Sequence, residues 1–260
     1  MQVNIVKIGG GVIENKEQLA QFLISFSAIE GPKILVHGGG RLATKIATDL
    51  GVETKMVEGR RVTDDAMLKV VSMVYGGLTN KTIVAQLQKN GINALGLSGA
   101  DGNLIKSHKR IHATIDYGWV GDVDKVNTDL LKTLLNSGVV PVLAPLTHDG
   151  QGNMLNTNAD TIASEVAVAL AKSGVDTQLI YGFELQGVLK DFEDKNSVIP
   201  QINNESYKKL KNDGIISEGM IPKLDNAFAA ISAGVSAVNV CHALQVGKAV
   251  HGSAGTKIVK

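Results

Sequence analysis

Two short apolar runs, Val3 to Val6 and Ile34 to Val36, each lead into a glycine turn: Lys7-Ile8-Gly9-Gly10-Gly11 and Val36-His37-Gly38-Gly39-Gly40. Helical patterns follow each turn, over about residues 16–29 and 42–50. A strand that passes through glycine into a helix is the building unit of a parallel sheet, and the pattern continues along the chain. Strand-like runs lie at 93–97, 139–144, 177–181 and 238–241. The run at 139–144 is nearly uncharged and β-branched, as suits a central strand covered on both faces. Thr63-Asp64-Asp65 reads as a helix cap opening a stretch to about residue 90, with a break expected near Gly76-Gly77. The expectation is an α/β fold with helices on both sides of the sheet. Residues 53–62 and 101–124, rich in glycine and charge, read as hairpins at the ligand-binding edge. A softer boundary near residue 174 suggests two lobes, 1–174 and 175–260.

Bulk properties exclude several classes. At 260 residues the chain can bury a sizeable core. A net charge of +1 with only 4% aromatics leaves neither a field nor a stacking surface for nucleic acid. The single cysteine, Cys241, excludes an intrachain disulfide and reads as a core residue. No histidine shows zinc-ligand spacing, so no protein metal site is expected. The longest uncharged stretch, 226–247, is too polar for a membrane span. No secretory signal pattern opens the sequence, so a cytoplasmic protein is the expectation.

Five segments carry chemistry. Glycine at the carboxyl end of a strand lets backbone N–H groups surround phosphate or carboxylate oxygens. Lys7 sits just ahead of such a turn, where ligands of an open parallel sheet bind. The bland alternative is a solvent-exposed strand-end lysine. The second turn opens a helix whose free N–H groups favour an anion. Arg61, in Glu58-Gly59-Arg60-Arg61-Val62-Thr63-Asp64, can fork onto a carboxylate. In Asn156-Thr157-Asn158-Ala159-Asp160, Asn158 suits a cap and Asp160 the first turn behind it, while Asn156 has no structural explanation. Lys223, in Gly219-Met220-Ile221-Pro222-Lys223, occupies a helix first turn, against the dipole, which marks it as a candidate anion ligand. Cations and anion cradles together suit transfer between two anions. Gly38-x-Gly40-x-x-Ala43 also matches a dinucleotide fingerprint, but Glu58 follows no convincing strand and a P-loop is absent.

In this order the five segments resemble the amino-acid kinase superfamily over essentially the whole chain, and within it the kinases that phosphorylate N-acylated glutamate. The resemblance implies a three-layer αβα sandwich with a mainly parallel central sheet. It implies an amino lobe (1–174) that binds the acylamino acid and forms a homodimer, and a carboxyl lobe (175–260) that holds ATP with Mg²⁺. Lys7, Lys223 and Asp160 match catalytic positions: two lysines on the transferring phosphoryl group and the aspartate that orients them. Gly39, Gly40, Arg61 and Asn156 match substrate-binding positions, and Gly9, Gly10 and Ser217 lie on the nucleotide side. One departure is Glu184, in Gly182-Phe183-Glu184, where the family usually has aspartate. Arginine-inhibited members carry an added amino-terminal helix ahead of the first strand, so no arginine feedback and no hexamer are expected. The implied reaction is ATP-dependent phosphorylation of the γ-carboxylate of N-acetyl-L-glutamate. An N-acylglutamate with a larger acyl group, such as succinyl, remains open. So do other members of the superfamily (aspartate, carbamate or uridylate kinases), a nicotinamide-dependent dehydrogenase and a non-catalytic amino-acid sensor.

Overall fold

The apolar runs become strands because their side chains are buried on both faces, which only the middle of a helix-covered sheet allows. A computed structural model describes residues 2–57, 60–191, 193–216 and 220–260. Its strands are β1 (Gln2–Ile8), β2 (Lys33–His37), β3 (Met56–Val57), β4 (Arg60–Arg61), β5 (Ala94–Leu97), β6 (Ile105–Lys109), β7 (Gly121–Val126), β8 (Val140–Leu143), β9 (Leu146–His148), β10 (Met154–Asn156), β11 (Asp176–Phe183), β12 (Gln201–Ile202), β13 (Ala237–His242) and β14 (Thr256–Ile258). Its α-helices are α1 (Gly10–Glu14), α2 (Lys16–Ser27), α3 (Gly40–Asp49), α4 (Asp65–Val71), α5 (Asn80–Lys89), α6 (Thr128–Asn136), α7 (Ala159–Lys172), α8 (Asn204–Asn212), α9 (Ile221–Ser232) and α10 (Val246–Val250).

Eight strands form one sheet in the order β12-β14-β13-β11-β1-β2-β8-β5, and every neighbouring pair is parallel except β13–β14. Alternate residues face opposite layers. Val3, Ile5, Ile34, Val36 and Leu179 pack on one side with Ile162, Val166 and Leu170 of α7 and Leu224 and Ile231 of α9. Val6, Ile8, Leu35, Ile180 and Cys241 pack on the other with Phe22, Leu23 and Phe26 of α2 and Ile83 and Leu87 of α5. The three-layer αβα expectation holds. Cys241 is fully buried, and burial pushes its thiol up to about 12, as a core residue requires.

The expected boundary near residue 174 falls in the turn between α7 and β11. It does not interrupt the sheet: β11 pairs with β1 from Gln2↔Asp176 to Ile8↔Gly182. From β1 the chain moves to β2 on one side, and from β11 to β13 on the other. Their carboxyl ends therefore flank the point where strand order reverses, the usual binding crevice of an open α/β sheet. Register aligns that edge: Lys7 pairs with Val36 and Tyr181, and Ile8 with His37 and Gly182.

Both expected hairpins form. β3 and β4 pair antiparallel through Met56↔Arg61, and β6 and β7 from Ile105↔Val126 to Lys109↔Gly121. The expected break at Gly76-Gly77 does not occur. Residues Ser72–Thr79 wind instead as a π-helix that passes into α5 without interruption. The wider turn keeps the backbone hydrogen-bonded at i→i+5, so no donors are orphaned and the helix need not end. Asp64 caps α4 as expected, accepting from Met67 N at 2.8 Å. Among the described residues no helix is long and apolar enough to cross a membrane.

Candidate active site

Both glycine runs turn out to be helix N-termini. Gly9 and Gly39 occupy the N-cap positions of α1 and α3, and neither helix has a side-chain cap. The first N–H groups are thus left for a ligand. The two ends face each other: a Cβ at Gly10 would sit 3.9 Å from the amide nitrogens of Gly40 and Arg41 and 4.0 Å from that of Gly39. Any side chain at Gly10 would fill this cradle. Gly39 has φ +149°, a conformation that favours glycine, and a Cβ there would lie 3.1 Å from two ring carbons of Tyr75. His37 holds the turn from beneath. It is fully buried, with Nδ1 2.7 Å from Gly38 O and Nε2 3.2 Å from Asn80 Nδ2. Burial lowers its pKa to about 4, against the hydrogen bond to Gly38 that raises it, so the ring is neutral at pH 7.

Lys7 is not the solvent-exposed lysine of the bland reading. It is buried, and its Nζ lies 2.8 Å from Asp160 Oδ1. Asn158 caps α7 by accepting from the N–H groups of Asp160 and Thr161, which sets Asp160 in the first turn, facing β1. Lys223 reaches the same place from α9. Its Nζ stands 4.2 Å from the Phe183 ring centroid, and that of Lys7 stands 5.6 Å from the same centroid. Two ammonium groups 216 positions apart in sequence thus share one aromatic ring at the end of β11. Burial lowers the Lys223 pKa; Asp160 opposes the shift and the Lys7 charge adds to it. The Lys223 side chain as a whole is exposed, and only its ammonium lies against the ring and the neighbouring charges.

Two cavities meet here. One, of about 250 Å³, is lined by Lys7, Gly39, Arg61, Tyr75, Asn156 and Asp160, among others. The second, of about 480 Å³, is lined by Gly9, Gly11, Phe183, Glu184, Lys223 and Val240, among others. Gly10 and Gly40 line both, so the cradle is their common wall. Arg61 donates from Nη2 to Gly40 O and Thr44 Oγ1, both at 2.8 Å. Asn156, unexplained as a cap, sits at the end of β10 and donates from Nδ2 to Thr63 Oγ1 at 3.0 Å. The arrangement can hold two anionic ligands nose to nose, with cations and free amides where they meet.

Comparison with known proteins agrees with that geometry. Residues 2–242 match the model of the amino acid kinase family. The chain belongs to this family. Family relatives include an acetylglutamate kinase of Bacteroides fragilis, 56% identical over 259 residues, covering 100% of this chain and 97% of the relative. Another, from Methanopyrus kandleri, is 41% identical and covers 89% of this chain and 92% of its own. Among solved structures, a Streptococcus mutans protein superposes with TM-score 0.76 at 28% identity, covering 99% of this chain and 98% of that one. A Giardia carbamate kinase shares the fold alone, with TM-score 0.70 at 12% identity over 99% and 98% of the two chains. Membership sets aside the dehydrogenase expectation, although Gly38, Gly40 and Ala43 do follow a strand and open a helix.

Of the site residues expected for a family member, the structure gathers Lys7, Lys223, Asp160, Gly9, Gly10, Gly39, Gly40, Arg61 and Asn156 around the two cavities. Ser217 lies outside the described residues, as do Glu58, Gly59 and Gly219 of the quoted motifs. Glu184 borders the second cavity and makes an exposed ion pair with Arg41 at 3.7 Å. Sequence reasoning missed Tyr75, Arg110 and the placement of Phe183 beneath the lysines. Arg110 belongs to the 101–124 segment and lines the first cavity, gripped by both carboxylate oxygens of Asp122. A tyrosine just ahead of Gly76-Gly77 was the one available signal for Tyr75.

Proposed function

We propose that this chain transfers the γ-phosphoryl group of ATP to the γ-carboxylate of N-acetyl-L-glutamate, a step of arginine biosynthesis. The convergence of Lys7 and Lys223 on one ring, where two cavities meet, carries the reading. The first cavity, walled mainly by residues 1–174, takes the acylamino acid. The second, walled by both glycine turns and by residues of the 175–260 lobe such as Phe183, Leu185 and Lys223, takes the nucleotide.

The γ-carboxylate titrates near ~4.3 when free, so it is ionised at neutral pH and needs no general base. The barrier is repulsion between a carboxylate and a polyphosphate. One carboxylate oxygen forms a bond to the γ-phosphorus as the bond to the ADP oxygen breaks, leaving an acyl phosphate and ADP. Lys7 and Lys223 offset charge on the γ-phosphoryl oxygens, Asp160 fixes Lys7, and the cradle amides of Gly10 and Gly40 fix the phosphates. A Mg²⁺ carried on the phosphates of ATP would neutralise part of their charge.

A homodimer and a cytoplasmic location complete the reading. Leu95 of edge strand β5 and Met73 and Leu78 of the π-helical stretch are exposed apolar side chains suited to a partner subunit.

Hydroxylamine trapping tests the reaction: N-acetylglutamate, ATP and Mg²⁺ with the protein should yield the hydroxamate of the acyl phosphate together with ADP. ADP release without hydroxamate would overturn it. One observation favours a second substrate. The charge of Arg110 is met by Asp122, whereas Arg60, beside Arg61 in the first cavity, forms no ion pair among the described residues. N-succinylglutamate carries a further carboxylate that could meet Arg60, and the ratio of kcat/KM for the two acyl acids decides between them.

A further inference from the structure

Tyr75 is buried in the wall of the first cavity, and the proposed reaction gives it no role. It is carried by the π-helical stretch Ser72–Thr79. Such wide turns are rare and cluster at functional sites, because they move one side chain out of α-helical register. Its ring lies against the Gly39 backbone, which tolerates it only because Gly39 lacks a Cβ. A methyl group on Gly40 would stand 3.8 Å from Arg61 Nη2 and 4.0 Å from the Tyr75 hydroxyl oxygen, so guanidinium and phenol share the space in front of Gly40.

Arg61 cannot hold a carboxylate alone in the usual two-pronged way. Both Nη2 hydrogens already serve Gly40 O and Thr44 Oγ1. Nη1 makes only long contacts, 3.4 Å to Thr54 Oγ1 and 3.9 Å to Met67 Sδ. Nη1 is left to serve one carboxylate oxygen of a ligand, and the second oxygen needs another donor. We propose that the Tyr75 hydroxyl is that donor: together with Arg61 it binds the α-carboxylate of the acylamino acid. Burial raises the phenol pKa, opposed by the Arg61 charge, so the hydroxyl keeps its proton to donate. This inference rests on the function proposed above.

The test compares wild type with Tyr75→Phe, which keeps the ring against Gly39 and removes only the hydroxyl. With N-acetylglutamate as substrate, the variant should raise its KM about ten-fold, the loss typical of one hydrogen bond to a charged group, and leave kcat and the KM for ATP within about two-fold. 4-Acetamidobutyrate, the same acyl acid without its α-carboxylate, should inhibit both proteins with the same Ki. An unchanged KM, or an equal weakening of both ligands, overturns the hydroxyl's role and leaves the function standing. A wild type that phosphorylates no acylglutamate sinks both.

Discussion

The two lysines at the junction are built differently. Lys7 stands in mid-sheet, flanked by β2 and β11, with its side chain 8% exposed and its charge held by Asp160. Lys223 stands in the first turn of an uncapped helix, exposed, and among the described residues it forms no ion pair. Folding alone fixes the first ammonium. The second faces a helix dipole, a like charge and an aromatic ring, with the Asp160 charge near it but in no ion pair with it, and completes its pairing with a ligand. Half of the clamp is therefore preorganised, and the other half is completed by the nucleotide.

The largest effects should expose this difference. Lys7→Ala should lower turnover about a hundred- to thousand-fold, the scale seen when one preorganised contact to a developing charge is deleted. It should also lower the Tm, because Asp160 Oδ1 is buried and the 2.8 Å ion pair is its only polar contact among the described residues. Lys223→Ala should lower turnover on a similar scale with the Tm of the ligand-free protein unchanged. Thermal melts of both variants decide the matter. Equal melting shifts would erase the distinction.

A smaller effect lies in pH. Burial lowers the Lys223 pKa, so its ammonium deprotonates at a lower pH than the 10.5 of a free lysine. Activity that needs the charged form is retained below that pKa and lost as pH rises through it. The alkaline limb of kcat/KM for ATP should accordingly fall below pH 10.5, and Lys223→Arg, whose guanidinium stays charged, should remove the limb. A limb that persists in the arginine variant would assign it to another group.

The same contrast shows what could be read from the chain. Lys7, both glycine runs and the Asn158 cap before Asp160 were legible because each depends on local chemistry: a strand end, a backbone without Cβ, a side chain that caps two residues on. The sheet followed from apolar periodicity for the same reason. Tyr75 and Arg110 were not legible. Tyr75 reaches the cavity through π turns that change the helical register, and a pattern based on 3.6 residues per turn cannot show this. Arg110 reaches it from the β6–β7 hairpin, whose position over the sheet edge is set by tertiary packing. In the sequence Phe183 stands out only for the departure beside it, at Glu184. Its place under both ammoniums depends on α9 crossing to the end of β11, which no local signal encodes.

Phe183 supplies the finest test. Its ring is stacked on Tyr181, with centroids 5.9 Å apart, and is nearer to Lys223 than to Lys7. An aromatic face stabilises a cation by about 0.5–2 kcal/mol, more where water is excluded. Leucine would keep the apolar wall that desolvates the ammonium and lose the attraction of the ring. Phe183→Leu should then move the alkaline limb further down, since the charged form of Lys223 loses support while its desolvation remains. Turnover at neutral pH should drop only about two- to five-fold, and the effect should vanish in a Lys223→Ala background, because Lys7 keeps Asp160. If Phe183→Leu instead costs as much with Lys223 absent as with it present, the ring serves Lys7 or the nucleotide, and the two ammoniums do not differ in how they are held.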